Sequence, residues 1–97
     1  MLNLKNSSTD RLFGTILRLG SIEECYRFFE DLCTVKEIQD MSQRLEVAML
    51  LKEGKSYLEI SSATGVSTAT ISRVNKCLSY GTGGYDMAIN KMPSSED

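Results

Sequence analysis

The stretch from Ser56 to Ser79, SYLEISSATGVSTATISRVNKCLS, constrains the fold most, because it reads as two short helices joined by a tight turn. Ser56 can accept from the backbone N–H of Glu59 while the Glu59 side chain reaches back, the reciprocal cap that opens a helix. The first helix of the unit therefore starts at Tyr57. Gly65 falls where that helix must turn sharply, and glycine enters the left-handed region without a Cβ clash. Ser67 then caps a second helix running from Thr68 to about Leu78.

Spacing inside the unit carries the specific signal. With Tyr57 as the first position of a twenty-residue helix-turn-helix, Ile60, Val66, Ile71 and Val74 fall where apolar side chains must hold the two helices together. Ser61 is small where they cross. Ser67, Thr68, Ala69, Ser72 and Arg73 are expected to point outward from the start of the second helix, the end such motifs present to base edges in the major groove. Thr70 and Lys76 complete the expected DNA-contacting set. A helical hairpin in an ordinary core would show one apolar stripe, but it would not need glycine, small and capping residues at these offsets.

At 97 residues the chain is expected to be one domain. It can bury roughly 60 to 65% of its unfolded surface, a marginal core that a partner subunit would supplement. The only proline is Pro93, and no alternating run is long enough for a half-buried strand, so an all-α fold is expected. No stretch approaches the length of a membrane span, and the N-terminal MLNLKNSSTD lacks an apolar signal core. The expected location is cytoplasmic.

Cys25, Cys33 and Cys77 are widely spaced and have no histidine beside them, so neither a zinc site nor a disulfide framework is suggested, and buried thiols are expected. The absence of histidine also removes the usual partner of a serine or cysteine nucleophile. No enzyme activity, metal or cofactor is expected. The net charge of −2 counts against nucleic acid, but its distribution softens the objection. From Lys52 to Leu78 there are four positive charges (Lys52, Lys55, Arg73, Lys76) against two negative (Glu53, Glu59). Lys52 and Lys55 suit a helix C-terminus and are read mainly as a solvated face.

In chain order, residues 1–8 read as a frayed polar arm. Asp10 to Leu19 carries Leu12, Phe13, Ile16 and Leu17 at helical spacing up to Gly20. A cap from Ser21 and Glu24 opens a second helix with Ile22, Cys25, Tyr26, Phe29 and Leu32 on one face and Phe28 off it. Together these make an N-terminal pair over residues 9–33. A further cap, Thr34 with Glu37, opens the longest helix, Val35 to Glu53, whose latter half should be enclosed through Val47, Ala48, Met49, Leu50 and Leu51. This spine segment covers 34–54 and the helix-turn-helix 56–79. Residues 80–97 read as a glycine-rich tail, in which Gly81, Gly83 and Gly84 make only a weak fragment of a phosphate-binding loop.

The spine segment MSQRLEVAMLLKEG and the helix-turn-helix ending VSTATISRVNKCL resemble the Trp repressor superfamily, specifically its YerC/YecD branch. The segment A-T-I-S-R-x-N-x-x-L at 69–78 is its most specific part. The resemblance implies five to six helices in an intertwined homodimer with two helix-turn-helix units facing DNA. It also implies a ligand pocket lined by Arg44, Thr70, Arg73, Val74 and Cys77. Val74 stands where the Trp repressor has the glycine that leaves space for an indole, and Cys77 stands where it has serine. Tryptophan is therefore not expected to act here, nor is any other small-molecule effector. The Trp repressor has a further helix after its recognition helix, where this sequence reads as glycines and a tail.

The expected function is sequence-specific, double-stranded DNA binding by a homodimeric transcriptional regulator. The competing reading is a helical protein-interaction module that grips a partner through Phe28 and the N-terminal helices and keeps the helix-turn-helix as scaffold.

Overall fold

A computed structural model describes residues 4–93, which form six α-helices and, among the described residues, no strand. These are α1 (Ser7–Ile16), α2 (Ile22–Leu32), α3 (Val35–Lys52), α4 (Tyr57–Thr64), α5 (Thr68–Tyr80) and α6 (Gly84–Asn90). They fall into two compact units, Met1–Ile38 and Gln39–Asp97. No helix among the described residues is long and apolar enough to cross a membrane.

In the first unit, α1 starts earlier than its apolar pattern suggests. The Asn6 side chain accepts the N–H of Thr9 at 2.8 Å, so a segment read as part of a frayed arm is instead a capped helix start. The helix also ends earlier, at Ile16 rather than Leu19. Thr15 turns its hydroxyl back to the Arg11 carbonyl at 2.8 Å, and Arg18 and Leu19 close tighter three-residue turns onto Thr15 and Ile16. Residues 1–3 of the expected arm lie outside the described residues. Ser21 caps α2 as expected, but the Glu24 carboxylate accepts from Gly20 N–H at 2.8 Å, so the cap reaches one residue further back. Neither α1 nor α2 buries a single residue. Leu17, Ile22 and Tyr26 are 84%, 71% and 62% exposed. Phe28, read as the surplus apolar residue, is half-buried and stands edge-on to Phe29 at 5.6 Å; the exposed apolar surface is the repeating face itself.

The second unit holds the buried core: Val47 and Ala48 from α3, Ile60 from α4, Val66 from the turn, and Ile71 and Val74 from α5. All four apolar positions of the helix-turn-helix spacing are in it. Leu50, Leu51, Tyr57 and Leu78 pack around them, so the latter half of α3 is enclosed through Val47, Ala48, Leu50 and Leu51. Burying each of these valine and isoleucine side chains contributes on the order of 1.5 to 3 kcal/mol.

The segment after Ser79 is not simply a tail. It contains α6, whose Tyr85 and Ile89 pack on the core, and which lies against α5. Three glycines obscured a short helix because they concentrate before it: Gly81 and Gly83 make the reversal, and Gly84 is its first residue. The chain therefore does carry a further helix after α5; residues 94–97 lie outside the described residues.

Candidate nucleic-acid interface

The two helices of the candidate site are set by side-chain caps at their starts and a glycine between them. Ser56 Oγ accepts the N–H of Glu59 at 3.1 Å, and Glu59 Oε1 accepts the N–H of Ser56 at 2.8 Å. The Ser56 backbone N–H, with its side chain and nearby Lys55 assisting, holds the Glu59 carboxyl below its ordinary value. At the other end of α4, Gly65 takes φ +75°, and Thr64 stitches the turn by donating its hydroxyl to the Ile60 carbonyl at 2.7 Å while accepting the N–H of Val66 at 3.1 Å. Ser67 caps α5.

On α5 the inward face is Ile71, Val74 and Leu78, and about 3.6 residues per turn then places Ala69, Ser72, Arg73 and Lys76 on the opposite arc. Ser67, Thr68, Ala69, Ser72, Arg73 and Lys76 are all exposed. Thr70 differs. It is half-buried, its N–H is given to Ser67 Oγ at 3.3 Å, and its hydroxyl accepts from Ser67 Oγ at 3.2 Å. That hydroxyl serves the cap. The exposed set offers three hydroxyl-bearing side chains (Ser67, Thr68, Ser72), a methyl group and two cations to whatever lies against it, the donor and acceptor types that reach base edges and phosphates.

The residues that the family resemblance places around a ligand lie on α3 (Arg44) and α5 (Thr70, Arg73, Val74 and Cys77). Arg44 is half-buried on α3 and Arg73 exposed on α5. Val74 is 1% exposed, inside the core cluster. Cys77 is exposed, not a buried thiol, because it sits about 100 to 120° around the helix from Ile71 and Leu78 and misses the inward face. Cys25 and Cys33 are half-buried.

Lys52 has a partner that sequence reasoning missed. Its Nζ lies 2.8 Å from Asp86 Oδ1 and 3.5 Å from Asn90 Oδ1, so the exposed cation at the end of α3 is also paired with α6. Asp86 and Asn90 are one turn apart, a spacing visible in the sequence once a helix is granted there.

The Trp repressor protein family matches residues 7–93. The chain is 54% identical over 93 residues to the uncharacterized protein YerC of Bacillus subtilis strain 168, covering 96% of this chain and 89% of that protein. Its fold is similar to the crystal structure of a TrpR-like protein from Eubacterium eligens, with TM-score 0.86 and 48% identity over 94% of this chain and 97% of that one. It is also similar to that of a candidate Trp repressor from Staphylococcus aureus, with TM-score 0.88 and 50% identity over 92% of this chain and 89% of the other. The chain belongs to the Trp repressor family, within its YerC-type branch.

Proposed function

We propose that the protein is a sequence-specific DNA-binding regulator that works as a homodimer and does not use tryptophan. The observation that carries the reading is the two-sided character of α5. One side is anchored by Ile71 and Val74 in the buried core, and the other exposes Ser72, Arg73 and Lys76 with Ser67, Thr68 and Ala69 at its start. A helix held this firmly from behind presents short polar side chains without further ordering cost. Arg73 and Lys76 supply the positive charge that the chain's net −2 lacks.

The unburied faces of α1 and α2 support the homodimer. A chain of this length does not leave so much apolar surface to water by default, and a second copy covers it by symmetry. On this reading residues 1–97 form one domain completed by its partner, and its place is the cytoplasm, with DNA. The competing reading, in which Phe28 grips another protein, is weakened by the half-buried position of Phe28.

The tryptophan claim rests on Val74. Its side chain fills the core where the Trp repressor glycine leaves room, so an indole would overpack the site at a cost of about 1 to 3 kcal/mol. The test of the whole reading is selection of bound duplexes from a random pool at near-physiological salt. A two-fold symmetric site with half-sites about one helical turn apart is expected. A pool that stays random, or a folded monomer by sedimentation at low micromolar concentration, would overturn the DNA reading or the dimer respectively.

A further inference from the structure

α6 is fastened on two sides. Its apolar edge, Tyr85 and Ile89, packs on the core of the second unit, while Asp86 and Asn90, one turn apart, face Lys52 Nζ at 2.8 and 3.5 Å. Lys52 is the last residue of α3 and Asp86 lies in the first turn of α6, so each charge also suits the end of the helix that carries it. The pair is only partly open to solvent, with side-chain exposures of 30% for Lys52 and 51% for Asp86. Between this fastening and α5 the chain has little slack. The Gly81 N–H donates to the Cys77 carbonyl at 2.9 Å, and only two residues separate Gly81 from α6. Among its neighbours α6 touches α5, the helix proposed to read DNA.

From this we infer that α6 is a latch, closed by Lys52 and Asp86, that fixes the C-terminal half of α5 against the end of α3. Lys52 and Asp86 are then positioning residues for the recognition helix, acting through α6 rather than by touching DNA. The inference rests on the DNA-binding reading, and the sign of its effect separates it from simple electrostatics. Removing a carboxylate from a DNA-binding unit tightens binding if only the field matters. If Asp86 closes a latch, its removal weakens binding.

Two measurements on the full chain test this. Hydrogen exchange without DNA should show faster exchange in α6 and over Val74–Tyr80 for Asp86→Asn and for Lys52→Met, no change in α4, and no additional effect in the double variant. Asp86→Glu, which keeps the charge, should restore the slow exchange. Against a duplex selected by the wild-type chain, Asp86→Asn should bind about two- to fivefold more weakly, the range a partly exposed ion pair commands. Unchanged exchange, a change confined to α6, or equal or tighter DNA binding by Asp86→Asn each overturns the latch. A wild-type chain that selects no duplex defeats the DNA reading alone, and the exchange pattern still decides whether α6 restrains α5.

Discussion

Ser67 and Thr70 are bound to each other twice: the Ser67 hydroxyl accepts the backbone N–H of Thr70 at 3.3 Å and donates to the Thr70 hydroxyl at 3.2 Å. One side chain thus satisfies an otherwise orphan donor at the start of α5 and holds the side chain one turn along. Replacing Ser67 with alanine removes both hydrogen bonds. We expect Ser67→Ala to lose about 0.5 to 2 kcal/mol of stability, measured by urea unfolding, with the slope against urea unchanged. Stability within error of the parent would show that water replaces the cap without cost.

Arg73 is exposed on the outward arc of α5, away from the core that holds the helix, so its removal should be felt by DNA and not by the fold. Arg73→Ala is expected to weaken binding to a selected duplex by about 1 to 3 kcal/mol if the arginine is bidentate to guanine. Lys76→Ala should instead weaken all duplexes alike and flatten the logarithmic salt slope by about 0.9 for each phosphate that the lysine neutralises. Titration across a salt series separates the two. Unaltered affinity for Arg73→Ala would remove that residue from the reading surface.

Two glycines are required for different reasons. Gly65 has φ +75° with nothing within 4 Å of where a Cβ would stand, so alanine there meets only backbone strain, roughly 1 to 2 kcal/mol. At Gly81 the φ is ordinary, but an added Cβ would run into the Cys77 carbonyl oxygen. Gly65→Ala should lower the melting temperature and leave α6 in place. Gly81→Ala should detach α6, seen as loss of exchange protection beyond Tyr80. The reverse pattern would mean that these two turns have been assigned the wrong cause.

Most of the second unit, and the cap that opens α3, was legible because the signals are local. Ser56 with Glu59, Thr34 with Glu37, Ser67, Gly65 and the positions Ile60, Val66, Ile71 and Val74 each act within a turn or two of chain, and each took its expected place. What sequence missed depends on distance or on weak helix formers. Asn6 and Ser7 look like arm residues until one asks what caps α1, and the Lys52–Asp86 pair spans 34 positions, beyond any local pattern. The outward residues of α5 could be named from spacing, but the diversion of Thr70 into the Ser67 cap, and the exposure of Cys77 beside a buried Val74, needed the side-chain geometry.

The Glu59 carboxylate gives the fold a pH dependence with a definite sign. Its folded-state pKa lies below the ordinary value of 4.5, chiefly through the Ser56 N–H, so the cap stabilises the protein above 4.5 and the contribution is lost as pH falls through the lower folded value. Melting temperature should therefore drop on acidification below about pH 4.5, and Glu59→Gln, which cannot titrate, should show a shallower drop. Equal drops in both proteins would mean that the acid sensitivity arises elsewhere.

The central claim is that α5 is set for DNA by Val74 from within, without a small molecule. The most direct test is equilibrium binding of the pool-selected duplex at near-physiological salt, with and without millimolar tryptophan. The predicted result is a sequence-specific, salt-sensitive complex whose affinity is the same in both conditions. Absence of a specific complex, or one that forms or tightens only when tryptophan is added, would contradict it.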